Sequence, residues 1–169
     1  MQPRQYIIFK WCVYSVATLL LCLVQICGLQ YLRLLGVVPF LYPVLSAMVA
    51  TFEGRSGGIF FAAGLGALCD VALHPPFVGF FTAVFAAAAL LTALIAEYLL
   101  APGFLCSLMA VNITFLLLDM GRMLVYAAGG QGLITVLSVA VREFLVTLLF
   151  LPLVFPVYRW IYKRVSEDY

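Results

Sequence analysis

The sequence predicts an all-α integral membrane protein, a compact bundle of six transmembrane helices forming one domain over residues 1–169 with both termini cytoplasmic. Three observations predict it. Hydrophobic residues make up 66% of the chain and charged residues 9%, with a mean hydropathy of +1.18, well outside the range of water-soluble domains. The apolar sequence divides into six runs, each near the ~20 residues that cross a hydrocarbon core. Lys and Arg gather at alternate ends of those runs, the pattern that sets orientation in a bilayer.

The first helix is expected over about 6–27, a retained signal anchor with no small-residue cleavage site. The second covers about 34–50, where Pro39 and Pro43 kink or loosen it. The third covers about 57–73, the fourth about 77–98 and the fifth about 104–127. A sixth occupies about 133–162, bent by Pro152 and Pro156. Arg4, Lys10, Arg55, Arg159, Lys163 and Arg164 then fall on one side, with Trp11, Trp160, Tyr6, Tyr158 and Tyr162 as an aromatic belt. Only Arg33 falls in a connection on the opposite side. The His74-Pro75-Pro76 turn and the Gly129-Gly130 connection are extracytoplasmic on this reading, and Ala101-Pro102-Gly103 is a cytoplasmic turn.

Five charges interrupt the apolar runs: Asp70, Asp119, Arg122, Arg142 and Glu143. Each would cost roughly 3 kcal/mol at the bilayer centre, so they are expected to pair inside protein. Helices three, five and six bring them to one leaflet, and the expectation is a network in which Arg122 and Arg142 bridge Asp70, Asp119 and Glu143. The alternatives are a network that only fixes helix register, or Arg142 and Glu143 snorkelling to the interface. Ala62, Gly66 and Asp70 share one helical face by their spacing of four, and Ser15, Thr18, Cys22 and Gln25 form a second small and polar face on helix one. Such faces admit a neighbouring helix at close range, either within the bundle or from a partner.

Several chemistries are disfavoured. Asp70 and Asp119 lack the motif of an intramembrane aspartyl protease, and Arg122 beside Asp119 opposes proton sharing. The single His74 lies in a proline-rich turn, away from any rhomboid-like serine motif. Ligand spacing for a metal is absent, no glycine loop for phosphate occurs, and no cofactor is expected. Cys12, Cys22, Cys27, Cys69 and Cys106 form no C-x-x-C pair and read as packing residues. A net charge of +2 with dispersed basic residues argues against a nucleic-acid partner.

From Glu53 to Leu99 the chain has a charged turn, a glycine-dotted helix ending Gly66-Ala67-Leu68-Cys69-Asp70, a short turn, then Pro76-Phe77-Val78-Gly79 opening an Ala/Leu-rich helix. This resembles the rod shape-determining MreD family. The likeness extends to chain length, six apolar segments and a final helix with Pro156 before a basic tail ending near Arg164. It carries the family's motif positions onto Gly66, Asp70 and Gly79. It implies a non-enzymatic subunit of the bacterial cell-elongation machinery in the cytoplasmic membrane, associated with MreC, the MreB filament, RodA and a penicillin-binding transpeptidase. Six helices and this length also resemble the substrate-binding S components of energy-coupling-factor uptake transporters. The Ala-x-x-x-Ala coupling motif of those components has no counterpart between Tyr6 and Cys27.

Overall fold

The computed structural model describes residues 3–34, 36–129 and 133–167, and side chains within these except at 3–6, 133, 135 and 165–167. Gly130 of the expected outer turn therefore lies outside the described residues. The described chain is helical: α1 (Pro3–Cys27), a 3-10 turn (Leu29–Tyr31), α2 (Tyr42–Ala72), α3 (Phe80–Tyr98), α4 (Phe104–Ala128), α5 (Leu133–Leu148) and α6 (Leu151–Glu167). Three segments are long and apolar enough to cross a membrane: Ile7–Tyr31, Phe80–Tyr98 and Phe104–Ala128. The α5–α6 pair, bent by 50°, makes a fourth if it counts as one span.

Polarity is distributed inside out. Ile8, Leu20, Leu116, Ile134, Leu145 and Leu153 are exposed, whereas Thr18, Gln25, Ser46, Thr51, Thr92, Ser107, Thr114 and Thr147 are buried. Water would penalise both halves of this arrangement; hydrocarbon rewards the first and requires the second to find partners inside. Thr51 and Thr114 comply by bonding the carbonyls of Ala47 and Ala110 one turn earlier, whereas the buried hydroxyls of Ser46, Thr92 and Ser107 have no hydrogen-bond partner among the described residues. These features are those of a helical membrane protein.

The helices expected over 34–50 and 57–73 are the two arms of α2, which reverses at Gly54. Residues eight apart stand about 12 Å from each other along a straight helix. Here a Cβ added to Gly58 would lie 2.7 Å from the Cα of Ala50, so the arms run side by side. Gly54 makes the reversal with φ 68° and ψ −159°, a conformation open in practice only to glycine. The expected charged loop therefore contracts to a single residue. Its neighbour Glu53 is almost fully buried and pairs with Lys10 of α1.

Helix two does not begin near Leu34. Residues 36–41 are non-helical and the arm starts at Tyr42, because Pro39 disfavours a helical residue before it and brings no backbone N–H to a helix through this stretch. Pro43 then occupies the first helical turn, where its missing N–H costs nothing. Likewise the helix expected over 133–162 is divided into α5 and α6 around Leu149 and Phe150. The bend falls at Pro152, which stands second in α6, whereas Pro156 lies within the helix.

Buried non-helical backbone is tolerated in an apolar solvent only when its polar groups are satisfied. Gln25 meets that demand from α1: its Nε2 donates to the Pro39 carbonyl at 2.7 Å, and its Oε1 accepts from the Leu41 N–H at 3.1 Å. Thr147 of α5 accepts from the Phe40 N–H at 2.9 Å. Elsewhere α1 packs sparsely, with 11% of its apolar span buried. It is tied through Thr18 to the Tyr158 hydroxyl of α6 at 2.7 Å, and through Tyr14 stacked on Tyr158. Replacing Gln25 by Leu leaves two buried backbone groups unpaired and is expected to destabilise the protein by about 2–4 kcal/mol. The exposed Ser15→Leu should be near neutral, and thermal unfolding of both variants in detergent checks the difference.

Candidate functional site

One end of the bundle collects the finish of α2, the first turn of α3, the last turns of α4 and the first half of α5, with residues 36–41 inserted between them. Asp70 stands two residues from the end of α2. Its Oδ1 accepts from the Phe81 N–H at 2.9 Å; its Oδ2 accepts from the Thr82 N–H at 3.0 Å and from the Thr82 hydroxyl at 2.6 Å. The first backbone N–H groups of a helix have no internal acceptor and carry the positive end of its dipole. Asp70 thus caps α3 from the neighbouring helix, where the local N-cap residue, Gly79, has no side chain to do so. Gly79 itself is in the left-handed region at φ 83°, which favours glycine.

The cap requires α2 and α3 to touch closely. At Gly66 an added Cβ would fall 2.6 Å from the Thr82 Cα and 2.7 Å from the Phe81 carbonyl oxygen, both backbone, so any side chain there would separate the helices. Ala62, one turn earlier, is fully buried. The Ala62/Gly66/Asp70 face is therefore occupied by α3, and it is not an open surface for a partner. On α1, Thr18 and Gln25 are likewise used internally, Cys22 is half-buried, and Ser15 alone of that face is exposed.

Arg122 is the centre of the charged group. Its Nη1 donates to Glu143 Oε2 at 2.8 Å and stands 3.8 Å from Asp119 Oδ1 on the preceding turn. The guanidinium lies over the Phe40 ring, 5.2 Å from its centroid, a cation–π contact that strengthens away from water. Glu143 is held from behind, since its carbonyl accepts from the Thr147 hydroxyl at 2.7 Å. The same hydroxyl oxygen receives the Phe40 N–H, so Phe40, Thr147, Glu143 and Arg122 form one closed circuit. Gly121 completes the packing, with the Phe80 ring lying where a Cβ would stand.

The expected five-membered network is thus reduced to three. Arg122, Asp119 and Glu143 come together; Asp70 is spent on the α3 amides, because unpaired N–H groups lie closer to it than either arginine does. Arg142 is exposed on α5, and no ion pair to it occurs among the described residues. One residue of offset from Glu143 rotates it about 100° around the helix.

Two carboxylates against one guanidinium leave the group one negative charge in excess. Asp119 carries the deficit of partners: its Oδ1 is shielded from solvent and has no hydrogen bond among the described residues. The three charged side chains line a cavity of about 440 Å³ whose walls include His74, Tyr126 and Ala140. Among the described residues, no three His, Cys, Asp or Glu side chains come together in a way that could hold a metal ion. The cysteines are free, Cys69 and Cys106 buried and Cys12 and Cys27 exposed.

Sequence reasoning missed Phe40, Phe81 and Thr82. The signal for Phe40 was available in Pro39 and Pro43 flanking it, which mark backbone that must borrow partners from side chains. No protein-family model, curated protein or solved structure matches this chain. Asp70→Ala, which removes both carboxylate oxygens and the three hydrogen bonds they accept, is expected to cost about 1–2 kcal/mol, the range for losing a helix cap. Arg142→Ala should stay within about 0.5 kcal/mol, as for an isolated surface side chain. Equilibrium unfolding in mixed micelles measures both.

Proposed function

We propose that this chain is a non-enzymatic scaffold subunit of the bacterial cell-elongation machinery, a six-pass protein of the cytoplasmic membrane that seats the single membrane helix of MreC. The six passes are α1, the two arms of α2, α3, α4 and the bent α5–α6 pair, which returns the C-terminus to the side of the N-terminus. The orientation rests on charge. Lys10, Arg55, Arg159, Lys163 and Arg164 belong to the Glu53 end of the bundle, where Tyr162 stacks on Phe52 at 5.3 Å. Positive charge of this kind marks the cytoplasmic face.

The observation that carries the reading is a lateral groove of about 420 Å³ between α1 and the second arm of α2, lined by Ser15, Leu19, Phe60, Gly64 and Leu68. A Cβ on Gly64 would meet nothing within 4 Å, so this glycine is open where Gly66 is closed. Without a hydrophobic drive inside lipid, helices associate through small residues that let backbones approach and through hydroxyl contacts. Gly64 and Ser15 supply both. The MreD-like segment Glu53–Leu99 contributes this arm, and RodA, the transpeptidase and MreB would be reached through MreC.

Copurification of MreC with the tagged full-length chain from native membranes tests the proposal. Gly64→Leu combined with Ser15→Leu is expected to reduce MreC recovery at least about tenfold, the effect of losing close helix contact, while thermal unfolding is unchanged. Full recovery by the folded double variant would contradict it, and recovery of a transporter ATPase in place of MreC would assign the chain to uptake.

A further inference from the structure

The cavity at Asp119 continues into a second space. An apolar cleft of about 190 Å³ runs along the α4–α5 seam, lined by Phe115, Leu116, Leu137, Val141 and Phe144, and it shares Asp119 and Ala140 with the polar cavity. From Asp119 the cleft reaches Asn112, seven residues or about 10 Å along α4. Leu116, Leu137 and Val141 are among the exposed apolar side chains of the bundle, so the cleft opens on the surface that faces acyl chains. Polar cavity and apolar cleft together have the form of an amphiphile: a head at Asp119, Arg122 and Glu143, a tail between Phe115 and Leu137.

Charge determines which head. Glu143 already accepts from Arg122 at 2.8 Å, while Asp119 stands 3.8 Å away with a buried oxygen lacking a hydrogen bond among the described residues. The site is short of one positive charge and of N–H donors. A phosphate group alone would add to the excess negative charge. A primary ammonium supplies the missing charge and three donors, and charge-assisted bonds of this type are the strong ones. Quaternary trimethylammonium carries the same charge with no N–H to give.

We infer that the α4–α5 seam is a binding site for an aminophospholipid, with the primary ammonium of its ethanolamine head on Asp119 and one acyl chain in the cleft below. A cavity of about 440 Å³ falls within the ~300–1,000 Å³ of small-molecule sites. The ammonium pairs with the carboxylate that Arg122 leaves unsatisfied, and the acyl chain fills the seam between α4 and α5, which is otherwise bridged mainly by the Arg122–Glu143 pair and by Phe115 edge-on to Phe144 at 5.4 Å. Its site is separate from the α1–α2 groove, so the inference stands whether or not MreC binds there.

The test is native mass spectrometry of the delipidated full-length protein titrated with phosphatidylethanolamine, phosphatidylcholine and phosphatidylglycerol of identical chains. Phosphatidylethanolamine is expected to bind at least about tenfold tighter than either, the effect of one charge-assisted hydrogen bond. Asp119→Asn should abolish that preference without weakening phosphatidylglycerol binding. Equal affinity for the ethanolamine and choline lipids would overturn the inference on the unaltered protein, with no variant needed. So would an undiminished preference in folded Asp119→Asn. Free phosphoethanolamine competing as well as the whole lipid would also overturn it, by removing the acyl chain from the site.

Discussion

Backbone that is neither helical nor wet must find its hydrogen bonds elsewhere, and this demand at residues 38–41 organises the molecule. Gln25 comes from α1 and Thr147 from α5 to meet it, so two helices distant in sequence are fastened to one short segment. Each unsatisfied group would cost several kcal/mol in hydrocarbon. The cost of leaving them unpaired is what makes the geometry unique: a shift of α5 by one turn would strand Phe40.

From that fixed segment the charged group follows. Phe40 presents its ring to Arg122, Thr147 positions the Glu143 backbone, and the Arg122–Glu143 pair then joins α4 to α5. Asp70 performs the equivalent service between α2 and α3. Ionised side chains in this protein thus act chiefly between helices, where a low dielectric makes each contact stronger and each omission costlier. Asp119 is held by proximity to Arg122 without a hydrogen bond of its own at Oδ1. An incompletely satisfied carboxylate beside a cavity is where a ligand would be sought.

Much of this was legible in the residues. Composition alone predicts helices in a bilayer, and the apolar runs locate α1, α3 and α4 to within a few residues at most ends. Proline and glycine were harder to read. Pro39 and Pro43 promised a kink and produced a non-helical insertion; Pro152 divides a predicted helix whereas Pro156 leaves α6 continuous; Gly54 compresses an expected loop into one residue. Local chemistry says that a helix is perturbed there, but only the surrounding contacts decide how. Among the charges, spacing brought Asp119 and Arg122 together correctly because they lie on one helix. It misassigned Asp70, since the competing acceptor demand of the α3 amides comes from a turn whose path no periodicity specifies. Small-residue faces were equally ambiguous: Gly64 and Gly66 are two residues apart, and one is open while the other is sealed by Phe81 and Thr82.

Arg122 and Glu143 act as one unit across the α4–α5 seam. A double-mutant cycle of Arg122→Leu and Glu143→Leu, read as unfolding free energy in a bilayer mimetic, measures this directly. A coupling of about 1–3 kcal/mol is expected, with the double variant recovering part of the loss of either single one. Strict additivity of the two substitutions would show that the two side chains act independently and contradict the pairing.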